Sequence, residues 1–551
     1  MRWIPKTDKP WHLMIYRALL GLALSLLLLG CGNQDGASAN SDGGLMVLHR
    51  GNGAEPDSLD PQKAQGSWEA AIISEMFLGL TTDGPDGETV PGAARSWQTS
   101  ADGLNWTFKL RPGLVWSDGA PVTADDFVYS LRRILDPKTA AQYAALLYSI
   151  KNAQAVNGGK MPTTALGVRA IDAQTFEISL EHPVPYLLQL ARHQTMFAVP
   201  QHVVEKYGND WIKPEHIVVD GAYKLAEWVP NSDIKLVKNP RFFDASSVKI
   251  DVVYFYPLSD QATELKRYQA DEFDITSSIP SRQLQWAKDT FKGQVHMHQV
   301  LASGYSYINV TRPPFTDLRV RRALALAIDR EAIAYELLKA GQTPAYSLVP
   351  PGIANYSDGP QVDFKSESMD ERRAEAKRLL AQAGFGPDHP LKFTYRFFDS
   401  NDDRRIAIAM QDMWKAIGVD AQVLSAEAKS EYDALRSQNY DVASAGWVAD
   451  YDDAENFLYL FTSSNGPMNY SKYSNPTFDA LMAKADDTVD TAARAKLLQQ
   501  AEAVLLHDMP IIPETFSSYR HLVKPYVKGW VDNVSNMHRT RYLSIERGAA
   551  G

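Results

Sequence analysis

The sequence of 551 residues contains a single cysteine, Cys31. One cysteine excludes intramolecular disulfides and zinc sites built from several thiolates. A basic excess is also missing, since 56 Lys and Arg face 66 Asp and Glu, for a net charge of −10. Nucleic-acid binding needs clustered basic side chains, so we expect no nucleic-acid partner.

Common catalytic motifs are absent too. The sequence has no GxSxG elbow, no HExxH helix and no P-loop. His296 and His298 would share one face of a strand, but no third ligand is in view, and we interpret both as surface histidines. The acidic run of Asp452, Asp453 and Glu455 lacks the spacing of a calcium loop and is interpreted as solvated. We therefore expect no enzymatic activity, no cofactor and no metal.

The N-terminus has the layout of an export signal. Basic residues precede the apolar run Ala18–Leu29, which is shorter than the roughly 20 residues of a membrane-spanning helix. The run ends in Leu28–Cys31, which resembles a bacterial lipobox. We predict a signal peptide over residues 1–30, then an acylated Cys31 and a flexible tether over residues 31–44, rich in Gly, Ser, Asn and Asp. The alternative is a signal anchor with an incidental cysteine.

Hydrophobic periodicity predicts mixed strands and helices through the rest of the chain. The predicted strands are Leu45–Leu48, Trp106–Leu110, Thr175–Leu180, Ile234–Val237 and Val252–Tyr256. The predicted helices are Ala124–Leu135, Asp317–Leu338, Asn401–Ile417 and Asp487–His507. Thr123 is a plausible cap for the first of these helices. The pattern indicates an α/β protein with mixed sheets, and the length indicates two or three domains.

Several blocks between about Leu45 and Ile545 carry a family resemblance. They are Asp57–Pro61, Leu110–Gly113, Trp116–Gly119, Pro121–Ser130, Asp136–Pro137, Asp220–Tyr223, Pro314–Phe315, Val320–Arg321, Ala327–Arg330, Tyr440–Ala443, Ala445–Trp447, Ala449–Tyr451 and Leu522–Pro525. In order and spacing they resemble family 5 of the bacterial extracellular solute-binding proteins, and most closely the oligopeptide-binding proteins. Asp118-Gly119 reads as a turn before a capped helix, so most of these residues are expected to be structural.

The resemblance implies a two-lobed periplasmic-binding-protein fold, or Venus flytrap, with mixed sheets and the ligand held between the lobes. The chain length corresponds to the large, three-domain variant. Domain I would be discontinuous, over residues 45–77, 202–303 and 517–551. Domain II would be an insertion over residues 78–201, and domain III would cover residues 304–516.

The resemblance also implies a set of ligand contacts. Asp450 takes the position of an aspartate that binds the ammonium group of a peptide by a charge-assisted hydrogen bond. Gly446 and Val448 lie where the main chain pairs with an extended ligand, and Trp447 would form a pocket wall. Tyr143 matches a tyrosine that contacts the peptide. The alternatives are a structural salt bridge for Asp450 and core packing for Trp447.

Further expected contacts are Gln65, Ser67 and Tyr305. In Gln65 the chain departs from the family, which commonly has an acid at this position. Three other departures concern the end of the site that receives the peptide carboxylate.

Ser444 and Leu435 take positions where enterobacterial relatives have arginines, and Asp403 takes that of a histidine. We therefore expect the carboxylate to be held differently, by Arg404 or Arg436, or not to be held at all.

These observations predict the substrate-binding lipoprotein of an ABC importer. It would be a monomer that captures oligopeptides and delivers them to a transmembrane permease. The chain would be exported to the periplasm or to the outer face of the cell membrane, and anchored there through acylated Cys31. A murein-derived ligand, or a non-peptide ligand such as a metal chelate, haem or an oligosaccharide, stays open. A cell-wall hydrolase or surface chaperone is a remote alternative.

Overall fold

The structure is a computed structural model, and it describes residues 44–466 and 468–547. The predicted signal peptide, Cys31 and nearly all of the predicted tether therefore lie outside the described residues. Within the described ranges, no helix combines the length and the apolar character needed to cross a membrane.

Strands and helices alternate along the described chain. The strands are β1 (Val47–Gly51), β2 (Thr81–Asp83), β3 (Thr89–Pro91), β4 (Ala94–Thr99), β5 (Asn105–Leu110), β6 (Val168–Asp172), β7 (Thr175–Ser179), β8 (Tyr223–Val229), β9 (Asp233–Lys238), β10 (Val252–Tyr256), β11 (Val295–Ile308), β12 (Thr343–Pro344), β13 (Lys392–Phe398), β14 (Asp420–Ala426), β15 (Val442–Val448), β16 (Ile511–Leu522), β17 (Val527–Lys528) and β18 (Ser544–Ile545). The helices are α1 (Ser67–Met76), α2 (Ala124–Leu135), α3 (Ala153–Asn157), α4 (Leu187–Leu190), α5 (Gln201–Tyr207), α6 (Gln261–Gln269), α7 (Leu284–Thr290), α8 (Leu318–Leu326), α9 (Met369–Gln382), α10 (Asn401–Lys415), α11 (Ala428–Ser437), α12 (Glu455–Leu458), α13 (Pro476–Asp486) and α14 (Thr491–Asp508).

Three larger sheets organise the body. One four-stranded sheet has the order β1-β10-β9-β8, and a second has the order β4-β5-β7-β6. A six-stranded sheet has the order β12-β16-β11-β15-β13-β14 and mixes parallel with antiparallel pairs. The α/β class with mixed sheets is therefore confirmed. The two four-stranded sheets lie within the ranges predicted for domains I and II.

Two long strands, β11 and β16, cross the predicted boundaries between domains I and III at residues 303/304 and 516/517. They pair antiparallel with each other, and the register of that pairing shifts between Gln299 and Ser303 and again between Gly304 and Tyr305. Such irregularities bend a strand and interrupt its ladder. The domain boundaries themselves stay a prediction.

Local sequence signals account for the elements that were predicted closely. Helix α2 begins behind Thr123, whose backbone N–H donates to the Asp126 carboxylate at 2.7 Å in a capping box. Ahead of it, Asp118 Oδ1 accepts the N–H of Ala120 at 2.9 Å, and Gly119 has a φ of +101°. A side chain would strain that backbone, which explains the Asp-Gly turn.

The prediction of one continuous helix over Asp317–Leu338 is wrong. Helix α8 ends at Leu326, and a separate π-helical segment covers Ala332–Leu338. Between them, Asp329 Oδ1 accepts the backbone N–H of Ala332 at 2.9 Å. A short acidic side chain that caps the next turn in this way interrupts a helix that its apolar periodicity would continue.

Two interpretations of polar residues are also wrong. Asp453 and Glu455 are buried rather than solvated, because Arg494 donates to Asp453 at 2.6 Å and the Tyr451 hydroxyl donates to Glu455 at 2.5 Å. His298 is not a surface histidine. It packs among His521, His538 and Asp532, and burial lowers its pKa.

Candidate ligand-binding site

Strand β15 has one edge that no described strand covers over most of its length. Its first edge pairs with β11 from Val442 to Val448. Its second edge pairs with β13 only at Val442 and Ala443. From Ser444 to Val448 the backbone groups of that edge therefore have no strand partner among the described residues. An uncovered edge of this kind is a template for an added strand.

The open edge lies against a cavity of about 300 Å³, which we call the Glu514 cavity. Its lining includes Gly446, Trp447 and Val448 from β15 and Glu514 from β16. Gly446 is directly opposite Gly304 of β11, so two facing positions carry no side chain. Paired glycines leave the backbone bare, and another chain can approach it closely.

Just after β15, the carboxylate of Asp450 has one oxygen without a hydrogen-bond partner among the described residues. Asp450 Oδ1 lies 3.4 Å from His193 Nε2. Asp450 Oδ2 is buried and has no hydrogen-bond partner among the described residues. The side chain is only 13% exposed. A buried carboxylate oxygen without a donor is costly, and an ammonium group would supply that donor.

Asn456 fixes the position of this carboxylate relative to Trp447. Its Oδ1 accepts the backbone N–H of Asp450 at 3.0 Å and the indole N–H of Trp447 at 2.9 Å. Asn456 itself is fully buried. One amide oxygen therefore orients two of the residues predicted to contact ligand.

Tyr143 forms the wall that faces Trp447. Their ring centroids lie 6.2 Å apart in a stacked arrangement, and the centroid of the His193 ring is 5.7 Å from that of Tyr143. Burial raises the pKa of Tyr143 well above its usual value, and the charge of Asp450 raises it further. Tyr143 is thus a neutral aromatic surface beside the carboxylate.

Gln65 and Arg436 meet on the same side as Tyr143. The Arg436 guanidinium lies 3.4 Å from Gln65 Oε1 and donates to Asp433 at 2.6 Å. Tyr143 Oη lies 3.5 Å from the Gln65 carbonyl oxygen, a long contact. The structure therefore brings together five of the predicted residues. They are Asp450, Trp447, Tyr143, Gln65 and Arg436.

Three predicted residues lie apart from this group. Arg404 projects from α10, is half exposed and pairs with Asp399, while its neighbours in the helix line the Glu514 cavity. Tyr305 is fully buried in the core, with its hydroxyl 3.0 Å from that of Tyr307. Ser67 is exposed at the start of α1 and hydrogen bonds with Tyr519.

A second, smaller cavity surrounds Asp450. It has a volume of about 30 Å³, and its lining includes Asp83, Arg192, His193 and Arg539. We call it the Asp450 cavity. Arg192 and His193 come from the segment predicted as domain II and Asp450 from that predicted as domain III, so the cavity lies between separate parts of the chain.

Further contacts join those same two segments. The rings of Tyr186 and Tyr451 stack with centroids 4.2 Å apart. The backbone N–H of Asp452 donates to Gln189 Oε1 at 2.6 Å. Both contacts would break if the two segments separated.

Sequence reasoning missed three polar residues of the site. His193 and Asn456 have no signal in their flanking sequence. Glu514 has one, because it is the single charged residue in the run from Pro510 to Phe516, in which Thr515 is the one other polar residue. A charge in a buried strand is uncommon unless it has a partner or a function.

The chain is similar to a known protein family and to several characterised relatives. Residues 88–469 match the family model described as "Bacterial extracellular solute-binding proteins, family 5 Middle". The periplasmic oligopeptide-binding protein OppA of Escherichia coli K12 is 39% identical over 91% of this chain and 92% of its own length. The probable deoxycholate-binding periplasmic protein YgiS of the same strain is 37% identical over 88% and 90%.

Solved structures show the same fold. Haemophilus influenzae OppA in complex with the peptide RPPGFSPFR superposes with a TM-score of 0.88 at 37% identity, over 92% of this chain and 99% of its own. The murein tripeptide-binding protein MppA of E. coli gives the same values. Its unliganded open form, also 37% identical, gives only 0.68 over 91% and 98%. The lobes are therefore not arranged as in that open form.

The predicted two-lobed fold is confirmed by these superpositions, and the family matched is one of substrate-binding transport proteins. The match to the family model covers more than half of the chain, and relatives above 30% identity cover nearly all of it. This chain belongs to family 5 of the bacterial extracellular solute-binding proteins.

Proposed function

We propose that this chain is the substrate-binding component of an ABC importer and that it captures oligopeptides between its lobes. The observation that carries the proposal is the uncovered edge of β15, which leads to a buried carboxylate oxygen without a donor at Asp450. An extended peptide would add as a strand along Ser444–Val448. Its N-terminal ammonium would then donate to Asp450.

The geometry favours recognition of the peptide main chain. Backbone pairing is independent of sequence, and the ammonium group is common to all free peptides. Gly446 and Gly304 add no side chain that would select against a ligand residue. The relatives support the class of ligand, since OppA is named as an oligopeptide-binding protein and MppA as a murein tripeptide-binding protein.

The finer roles are proposals as well. Domain I would comprise residues 45–77, 202–303 and 517–551, with the lobes moving about β11 and β16. The protein would act as a monomer. It would deliver its bound ligand to a transmembrane permease. Ligand contacts at Gln65, Ser67 and Val448 belong to the same proposal.

Ligand class can be tested by native mass spectrometry of the purified mature chain. We expect a ladder of co-purified peptides of varied mass, because main-chain recognition tolerates many sequences. Unfolding and refolding the chain should remove them, and calorimetry with trialanine to pentaalanine should then restore binding. A single non-peptide mass, or binding of deoxycholate with no binding of any alanine peptide, would overturn the proposal.

We also propose that acylated Cys31 anchors the exported chain to a membrane. Two or more acyl chains on one residue give stable anchoring, whereas one myristoyl chain gives only marginal binding. In cells, Cys31→Ser is expected to move the protein from the membrane fraction to the soluble fraction and to abolish incorporation of labelled fatty acid. Unchanged fractionation of Cys31→Ser would contradict the anchor.

A further inference from the structure

The Glu514 cavity is acidic. Its lining contains three carboxylates, those of Asp402, Asp403 and Glu514, and none of its lining residues is Lys, Arg or His. A site built for the carboxylate of a peptide would need the opposite charge. The cavity also contains Gly446 and Trp447 of the open edge of β15, so a ligand strand along that edge would run through it.

Glu514 is the carboxylate that lacks compensation. It is only 5% exposed. The Ser306 hydroxyl donates to Oε1 at 2.5 Å, while Oε2 has no hydrogen-bond partner among the described residues. No cationic nitrogen of the described residues lies within 4.0 Å of either carboxylate oxygen of Glu514. Because Glu514 lines the cavity, Oε2 can accept a hydrogen bond from a group that enters it.

The nearest buried cation does not serve Glu514. The guanidinium of Arg330 donates to the backbone carbonyls of Pro513, Ala325 and Ile328. It therefore offsets the negative charge of Glu514 only at longer range. Among the described residues, the Glu514 carboxylate has no direct counter-ion.

The two aspartates differ from Glu514 in their partners. Asp402 lies 3.2 Å from Arg405 and 3.3 Å from Arg520, so its charge is neutralised within the protein. Asp403 accepts the Ser400 hydroxyl at 2.5 Å in the first turn of α10, where a helix N-terminus favours an acid. Asp403 thus has a structural role and adds to the negative potential, whereas Glu514 has no such role.

We propose that the Glu514 cavity is a subsite for a cationic group, the ammonium of a lysine or the guanidinium of an arginine in the ligand. The inference rests on the proposed peptide function and deepens it. An ammonium would donate to Oε2 of Glu514, with Asp403 contributing at longer range. Ser444 lies at the end of the open edge, about 20 Å from Asp450 at roughly 3.3 Å per extended residue. Ser444 is opposite Ser306, the residue that donates to Glu514, so a ligand that reaches both carboxylates spans several residues.

A lysine scan tests this subsite. Pentaalanine is the baseline, and lysine replaces alanine at positions two to five in turn, each paired with the Nε-acetyl-lysine peptide of the same length. Calorimetry on the wild type should show one position at which the lysine peptide binds about 10-fold tighter than the acetyl-lysine peptide, because only the charged lysine forms a charge-assisted hydrogen bond with Glu514. In Glu514→Gln that ratio should fall to about one.

Glu502→Gln is the matched control. Glu502 is fully buried, accepts a tyrosine hydroxyl as its partner and lies outside the cavity lining. Its variant should keep the preference of the wild type. The inference is overturned if Glu514→Gln keeps the preference for lysine over acetyl-lysine, or if the wild type shows this preference at no position. In either case, binding of pentaalanine would still support the proposed peptide function. If pentaalanine and its derivatives all fail to bind, the peptide function itself is wrong.

The unmutated protein provides a second readout. Burial raises the pKa of Glu514 to about 7, the Ser306 hydroxyl and Arg330 lower it, and Asp403 raises it; Tyr395 from β13 also lies near this carboxyl. Ionised Glu514 binds the cation, so the preference for lysine over acetyl-lysine should grow as the pH rises from 6 to 8. A preference that is flat over this range in the wild type contradicts the assignment.

Discussion

Asp450→Asn is expected to raise the Kd of a free tripeptide roughly 10- to 100-fold, because a hydrogen bond to a charged group contributes about 1.5–3 kcal/mol. The amide that replaces the carboxylate keeps the shape of the side chain but removes the charge that attracts an ammonium. The N-acetylated tripeptide has no ammonium and should bind weakly to both proteins with the same Kd. Calorimetry with the two peptides on the two proteins measures the difference.

Asp441→Asn is the control for this substitution. Asp441 precedes the other end of β15, is 21% exposed against 13% for Asp450, and pairs with Arg312 at 3.2 Å. It lies outside the lining of both cavities, so its variant should bind the free tripeptide as the wild type does. An equal loss of affinity for free and acetylated peptide in Asp450→Asn would refute the ammonium contact and favour a structural role with His193.

Much of the fold is predictable from local pattern. Strand β10 and helix α2 begin and end where their alternation and their Thr123 cap place them. The break after α8 is not predictable from periodicity, since it depends on a single side-chain bond from Asp329 to the backbone of Ala332. Local competition of this kind overrides an apolar repeat.

Tertiary partners explain the errors about polar residues. Asp453 reads as solvated because its partner, Arg494, is 41 positions away in sequence. His298 reads as exposed because the histidines around it come from the C-terminal segment. Charge and burial depend on contacts of this range, and a single sequence does not record them.

Family resemblance predicts one end of the site, whereas the other end is evident only from the structure. Asp450 and Trp447 were named from a motif, and the structure brings them together through Asn456. At the far end, the expectation of Arg404 as a basic partner rested on sequence proximity alone. Helix α10 directs Arg404 to Asp399 and leaves Asp403 beside the cavity. The charge of that end is thus opposite to the expected one.

Asp83→Asn is expected to lower the stability of the fold by about 3–5 kcal/mol, the cost of breaking a buried ion pair from one side. Asp83 ends β2 and is almost fully buried. Its Oδ1 lies 2.9 Å from Arg192, and its Oδ2 accepts from Arg539. One carboxylate therefore joins three distant segments. Without its charge, two buried guanidinium groups face an amide, and the midpoint of urea unfolding should fall.

Glu177→Gln is the matched control, because Glu177 pairs with Arg169 at 2.6 Å on the surface, where Arg169 is 67% exposed. An exposed pair contributes at most about 1 kcal/mol, so this variant should unfold nearly as the wild type does. If Asp83→Asn shifted the midpoint of urea unfolding as little as Glu177→Gln does, the buried ion pairs of Asp83 would not stabilise the fold as proposed.

The effect of Asp83 should also depend on pH in a defined direction. Burial alone would raise the pKa of Asp83, but the charges of Arg539 and Arg192 outweigh it and hold the pKa below its usual value. As the pH falls through about 4, the unfolded chain takes up this proton before the folded chain does, so the contribution of Asp83 is lost. The difference in urea midpoint between wild type and Asp83→Asn should therefore be constant from pH 8 to 5 and shrink below about pH 4. A difference that persists undiminished in acid would mean that the aspartate stabilises the fold by packing and not by charge.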